Sequence, residues 1–361
     1  MRFTRLKLTH WRNFDSLRLS LGPRALFFGP NASGKSNLLD ALRFVSEIAL
    51  PDGGLGRAVA RRGGRFLRSQ HAPPGTDFKI EIEAELGDEA WAYGVAVSID
   101  KAGLPRVRSE TVAQGRRRLL RRPEADDRRE PLRLTQTHLE QASTGAAFQP
   151  LLEFLRSVRS FHGPVAPGEL LRSALALQKR PREARLRRCL ELARAVLPRL
   201  ERLTVEHDEA GVPQMMARLD RGKAASWFPA DQLSASTARL LALLWEATHG
   251  DGPLLLEEPE QGLHPEATGR LLELLASAAP RGGRQLLVST HAERLLDDAR
   301  VSPAEIFLLN PTSEGTHIEV ASDDTQIRAT ATAEEPLGPI VAARTSPDRA
   351  GQMPLFFEPQ G

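Results

Sequence analysis

Residues Gly29-Pro30-Asn31-Ala32-Ser33-Gly34-Lys35-Ser36 match G-x-x-x-x-G-K-[ST] at every fixed position, and this constrains the fold more than any other feature. Small residues let successive backbone N–H groups curl around a phosphate chain, and the following helix aims its positive end at the same charge. Lys35 is then placed to reach the β- and γ-phosphates, and Ser36 to ligate Mg²⁺. A chance Gly-rich turn is the alternative, but the flanks argue against it. Ala25-Leu26-Phe27-Phe28 reads as a buried strand, and Asn37 to Ile48 sets Leu38, Leu39, Leu42 and Val45 on one helical face. Strand, loop and helix in this order imply an α/β fold that takes a nucleoside triphosphate with Mg²⁺.

The 361 residues, 41% of them hydrophobic, suffice for one large or two modest domains. No apolar run nears the roughly 18 residues of a membrane span, and Met1-Arg2-Phe3-Thr4-Arg5-Leu6-Lys7 alternates like a strand rather than a signal peptide. A cytoplasmic chain with no membrane partner is expected. Cys189 has no second cysteine to pair with and lies in an Arg-rich amphipathic pattern, which favours a packed thiol over a nucleophile. The formal charge is only +3, yet the arginines cluster. One group is Arg57, Arg61, Arg62, Arg65 and Arg68; a second is Arg116, Arg117, Arg118, Arg121 and Arg122; a third is Arg180, Arg182, Arg185, Arg187 and Arg188. Such groups suit DNA phosphates. Acids such as Glu124, Asp126, Asp127 and Glu130 make a solvated surface the equal alternative.

Along the chain, strands at Phe3–Leu8, Leu17–Leu21 and Ala25–Phe28 open an α/β core. Strict alternation from Phe78, continuing through Ala90–Ser98 and Pro105–Thr111, predicts an antiparallel β-meander added to that core. Residues 1–118 are accordingly read as the first part of the core. Residues 119–232 read as a mainly helical lobe, with a short strand pair around Gly211-Val212-Pro213. Residues 233–322 return to alternating helix and strand and complete the parallel sheet. Beyond Asp323 no periodicity is sustained, so 323–361 is expected to be a loose tail, with Met353-Pro354-Leu355-Phe356-Phe357 as a candidate docking peptide.

The second half of a phosphate site needs carboxylates, and Leu254-Leu255-Leu256-Glu257-Glu258-Pro259-Glu260 ends an apolar strand in acids. Glu257 is positioned for the metal shell, and Glu258 to orient and activate the attacking water. Leu286-Leu287-Val288-Ser289-Thr290-His291 supplies another strand, with His291 at its end beside the same sheet edge. Leu233-Ser234-Ala235-Ser236-Thr237 opens a helix with small residues and offers a further N–H-rich anion site.

The order phosphate loop, long insert, Leu-Ser-x-x-Thr, Glu-Glu-Pro-Glu-Gln-Gly-Leu-His-Pro and Ser-Thr-His resembles the ABC-type ATPases, and within them the RecF, SMC and OLD-like group. The likeness runs from Trp11-Arg12-Asn13-Phe14 to about Asp323. Glu-Pro-Glu-x-Gly-Leu-His-Pro resembles the DNA-repair and phage-defence branch rather than transporter motors. The resemblance implies an ABC-type P-loop head that dimerises through an ATP sandwich. Gly29, Asn31, Ser33, Gly34, Lys35, Ser36 and Asn37 of one copy would face Ser234, Ser236 and Thr237 of the other. It further implies Glu258 as catalytic base, His291 as switch histidine, and Gln141 as the glutamine that senses Mg²⁺ and water, with Gln136 as second choice. Arg12 and Asn13 would approach the nucleotide. Ser236 departs from the family's glycine, which predicts weaker closure or the need for a partner. Sustained heptads are absent, so long coiled-coil arms are excluded. No acidic or His cluster suggests a built-in nuclease. The implied role is an ATP switch acting on DNA or on a separate effector, such as a nuclease or toxin in anti-phage defence. A RecF-like repair ATPase and a nucleotide-gated scaffold with little hydrolysis are the alternatives, and a small-molecule P-loop kinase is a distant one.

Overall fold

The computed structural model describes residues 1–73, 75–141, 145–163, 168–220, 222, 225–279 and 283–345. In chain order the strands are β1 (Arg2–Trp11), β2 (Phe14–Ser20), β3 (Arg24–Phe28), β4 (Phe78–Leu86), β5 (Glu89–Ile99), β6 (Pro105–Gln114), β7 (Arg117–Arg122), β8 (Arg159–Phe161), β9 (Leu200–His207), β10 (Pro213–Asp220), β11 (Ala225–Pro229), β12 (Leu254–Glu257), β13 (Leu286–Thr290), β14 (Ile306–Thr312) and β15 (Gly315–Val320). They form an antiparallel sheet ordered β2-β1-β4-β5-β6-β7, a small antiparallel sheet β11-β10-β9, and a central sheet β15-β14-β3-β13-β12-β8. In the central sheet β14, β3, β13, β12 and β8 run parallel, and β15 closes one edge antiparallel.

The central strands are apolar on both faces because both are covered. Ala25, Phe27, Leu255, Leu287, Phe307 and Leu309 share one core with the large antiparallel sheet and the helix Lys35–Ala49. Leu26, Phe28, Leu254, Leu256, Val288 and Leu308 share a second core with the helices Lys179–Ala193, Ala235–Ala247 and Leu271–Ala278. The period of two along each strand therefore separates two cores. The result is a mixed α/β head of the expected class, and no long coiled coil is present among the described residues.

The expected antiparallel meander is present, and β4 joins it to the sheet begun at the N-terminus by pairing with β1 from Lys79↔Thr9 to Glu85↔Arg2. Two expectations change. The stretch 119–232 is not one helical lobe. Within it β8 pairs with β12 in the central sheet, β9 to β11 form their own sheet, and the helix Gln149–Ser157 packs on the helix Lys35–Ala49, where Ser46 Oγ donates to the Leu155 carbonyl at 2.7 Å. Residues 323–345 are not loose. Asp324 caps the helix Thr325–Thr332 by accepting from Gln326 N at 2.7 Å, and Asp297 Oδ1 accepts from Gly338 N at 3.0 Å at the start of the helix Gly338–Thr345. Ile327 and Val341 are fully buried and hold these short helices down. The Met353–Phe357 segment lies outside the described residues.

Candidate nucleotide site

Parallel pairing fixes which residues meet. β13 runs between β3 and β12, with Thr290 opposite Phe28 and Ser289 opposite Glu257. The loop after Phe28, the acids after Leu256 and His291 after Thr290 must therefore emerge side by side at the carboxyl edge of the sheet, where open α/β sheets bind ligands.

The loop is shaped for close approach. Ala32 and Gly34 take φ of 63° and 95°, a left-handed region that glycine adopts freely and that strains Ala32. A Cβ on Gly34 would fall 2.0 Å from Asn13 Nδ2, and one on Gly29 would meet the Leu309 carbonyl at 2.6 Å. Lys35 Nζ donates to the carbonyls of Gly29 at 2.7 Å and Pro30 at 2.8 Å. Burial lowers the pKa of Lys35, and the nearby Glu258, Glu260 and Glu257 oppose that shift, which puts all three acids within its field.

Arg12 and Asn13 stand behind the loop. Arg12 Nη2 donates to Asp40 Oδ2 at 2.7 Å on the following helix, and its guanidinium lies over the Trp11 ring. Asn13 Oδ1 accepts from Asn37 Nδ2 at 2.6 Å, while Asn13 Nδ2 donates to Thr316 Oγ1 at 2.6 Å. Thr316 Oγ1 in turn donates to the Ser33 carbonyl at 2.8 Å. Asn13 and Thr316 thus brace the phosphate loop from outside. Thr316 carried no local signal, since its role depends on the β14–β15 hairpin folding back.

On the acid side, Glu258 takes a left-handed φ of 44°, and its N–H donates to the Ser289 carbonyl at 2.9 Å. Its Oε1 lies 3.3 Å from His291 Nδ1. Arg43 Nη2 approaches Glu257 at 3.6 Å. Glu260, missed at the sequence level, is buried and accepts from Thr290 Oγ1 at 2.6 Å, and its burial raises its pKa. Arg239 was also missed, although a lone Arg in the apolar run Ala238-Arg239-Leu240-Leu241 was the available signal. It is 7% exposed, donates Nη2 to the Glu258 carbonyl at 2.9 Å and Nη1 to the Gly163 carbonyl, and lies over the Phe161 ring.

Gln141 is not brought to this edge. Its neighbour Glu140 accepts from the N–H groups of Leu55 and Thr137, and Gly54 N is bonded to the Glu47 carbonyl. That is the far end of the helix Lys35–Ala49, roughly 18 Å along its axis from Lys35. Gln136 gives its carbonyl to Arg122 Nη1 and belongs to the meander side. The residue that does stand beside Glu257 is His162, one step beyond Phe161, which pairs with Leu256. Its pKa is lowered by burial and then by Arg43, with Glu257 and Asp40 opposing. Ser234, Ser236 and Thr237 hydrogen-bond to one another rather than to the loop. Ser234 Oγ is 3.1 Å from Ser236 Oγ, 2.8 Å from Thr237 Oγ1, and accepts from Thr237 N at 3.3 Å.

The residues fit a nucleoside triphosphate with a divalent ion. The glycine cradle admits no side chain, and the buried hydroxyls of Ser33 and Ser289 have no hydrogen-bond partner within the protein. Loop N–H groups, Lys35 and Ser36 would hold phosphates, and Ser36 with Glu257 would hold the ion's shell.

Residues 25–297 match the family described as "AAA domain, putative AbiEii toxin, Type IV TA system". The chain is 30% identical over 95 residues to the DNA replication and repair protein RecF of Lactobacillus johnsonii, covering 25% of each protein. It is 40% identical over 85 residues to RecF of Mesorhizobium japonicum, covering 22% of this chain and 21% of that one. These matches span about a quarter or less of the relatives' length. The fold resembles the Smc head domain bound to the C-terminal domain of ScpA derived from Pyrococcus furiosus, with a TM-score of 0.55 and 14% identity over 91% of this chain and 99% of that one. The chain belongs to this AAA-domain family, and its fold is that of the Smc head domain.

Proposed function

We propose that the protein is an ATP-driven switch: ATP and Mg²⁺ close two copies head to tail, and hydrolysis reopens them. One observation carries this reading. Lys35, Glu258 and His291 converge on one sheet edge, while Ser234, Ser236 and Thr237 make their hydrogen bonds among themselves at an outward-facing helix start. A single copy presents two half-sites, and a second copy supplies the complement. Within the joined site Glu258 accepts a proton from water, and His291 beside it fixes the carboxylate. Lys35 carries phosphate charge, and Mg²⁺ when bound neutralises the charge that develops on the phosphates.

The output is an effector protein or nucleic acid, in an anti-phage setting supported by the toxin–antitoxin description of the matched family. A RecF-like repair role is the second reading, favoured by the stretches shared with RecF proteins. The test is the mass in solution of a Glu258→Gln chain with ATP and Mg²⁺. A dimer that Lys35→Ala or Ser234→Arg abolishes supports the switch, and a monomer under all conditions contradicts it.

A further inference from the structure

Three guanidinium groups crowd Asp40 on the helix Lys35–Ala49, and two of them hold it. Arg12 Nη2 donates to Asp40 Oδ2 at 2.7 Å, and Arg62 donates from Nε to both carboxylate oxygens at 2.9 Å and pairs through Nη2 with Oδ1 at 2.8 Å. Arg62, from the first arginine cluster, is further tied to Glu47 at 2.6 Å. The third group, that of Arg43, comes no nearer to Asp40 than 3.8 Å. Its Nε and Nη2 are buried without a hydrogen-bond partner, and among the described residues no other side chain leaves two such atoms. The carboxylate it approaches most closely is Glu257, with 3.6 Å between Nη2 and Oε2, beyond hydrogen-bonding distance. A buried cation left this way costs stability, so packing alone gives no account of it.

The helical period explains where this side chain lies. Ser36, Asp40 and Arg43 stand at i, i+4 and i+7 on one face of the helix, and long side chains on a helix lean back toward its N-terminus. Arg43 therefore reaches up from the third turn toward the turn that carries Ser36. The helix packs on β12, whose last residue is Glu257. The guanidinium thus approaches Ser36 and Glu257, the two residues suited to the ion's shell, from below. Its charge extends to His162, whose pKa it lowers next after burial. On its far side lies a cleft of about 350 Å³ along the edge strand β8, lined also by Ser46, Glu47 and His162, which leaves the guanidinium room to withdraw.

We propose that Arg43 is a resident counter-cation that competes with the divalent ion for Glu257, and so sets how much Mg²⁺ the nucleotide site needs. This deepens the proposed switch and rests on its reading of Ser36 and Glu257 as the ion's holders. Before the ion arrives, Arg43 offsets the charge of Glu257. Once Mg²⁺ is present, the same positive charge weakens the hold of Glu257 on it, because like charges repel most strongly where water is scarce. Arg43 touches no phosphate-loop residue by hydrogen bond, so it is a positioning residue and not a catalytic one. A purely structural part in the Asp40 cluster explains neither its approach to Glu257 nor its two unpartnered nitrogens.

The experiment titrates Mg²⁺ into the full chain holding a fluorescent, non-hydrolysable ATP analogue, read by the nucleotide's fluorescence, after its affinity has been measured in a metal chelator. Arg43→Met is expected to lower the half-saturating Mg²⁺ concentration by about 3- to 10-fold, while the metal-free nucleotide affinity stays within about threefold of wild type. Arg43→Lys keeps the charge on a shorter reach and gives a smaller shift in the same direction, which serves should the Met variant melt early. In a Glu257→Gln chain, Arg43→Met is expected to add no further shift, since the carboxylate it competes for is gone. A half-saturation that Arg43→Met leaves unchanged or raises would overturn the proposal, as would an equal shift in the Glu257→Gln background. Wild-type chain that binds the analogue neither with nor without Mg²⁺ would strike the proposed switch instead, so the two failures are distinguishable.

Discussion

Arg239, on the helix that opens with Ser234, donates to the main-chain carbonyl of Glu258 at 2.9 Å. The same guanidinium holds Gly163, which follows β8. One buried cation thereby ties the outward-facing Ser-x-x-Thr segment to the strained residue that carries the carboxylate. In Arg239→Met both carbonyls lose their donor, at a cost of about 1–3 kcal/mol. Misplacing a catalytic group by about 1 Å costs ~10²-fold in rate, so kcat is expected to fall by about that factor while nucleotide affinity, measured by fluorescent-analogue titration, changes little. A matching loss of affinity and rate would assign Arg239 to binding instead.

The brace behind the loop gives a second expectation. Asn13→Ala removes the bonds to Asn37 and Thr316, each worth about 1 kcal/mol net. Thermal melts should show a drop of a few degrees and nucleotide titration a weaker site. Thr316→Val should reproduce part of both effects from 300 residues away in sequence, since Thr316 reaches Ser33 through the hairpin.

Glu260 is charged at a cost. Burial raises its pKa, so the folded state holds its proton to higher pH than the unfolded chain does. The penalty is present at neutral pH and fades as pH falls through the raised folded value. Glu260→Gln keeps an acceptor for Thr290 and is expected to stabilise the fold by on the order of 1 kcal/mol at neutral pH, with the gain shrinking in acid. Equal gains at both pH values in urea unfolding would rule out the titration.

His249 has the opposite sign. Arg159 and Arg185 face its two ring nitrogens, and burial, then these cations and Arg284, push its pKa down to about 4. The unfolded imidazole titrates near 6.5. Stability that is full above that value should be lost as pH falls toward 4, by roughly 2–3 kcal/mol. His249→Gln should flatten this limb of the pH–stability curve, and an unchanged limb would place the acid sensitivity elsewhere.

Much of the candidate site was legible because its signals are local. The phosphate loop, the Glu257-Glu258 pair and His291 each sit at the end of an apolar run, and parallel pairing alone brings them together. His162 was not legible, since β8 is three residues long and exists only by pairing with β12. Gln141 carried the right side chain but hangs on Glu140 at the wrong end of a helix. The helices Thr325–Thr332 and Gly338–Thr345 were missed because each is only 8 residues long, too short for a sustained apolar period, and is held by one or two buried anchors.

The most direct test of the switch is steady-state ATP hydrolysis by the full chain with Mg²⁺, wild type against Glu258→Gln, with and without duplex DNA. Wild-type turnover that Glu258→Gln abolishes, while the variant still binds ATP, is the expected result. Wild-type turnover no higher than that of Glu258→Gln under both conditions would contradict an ATPase centred on Glu258.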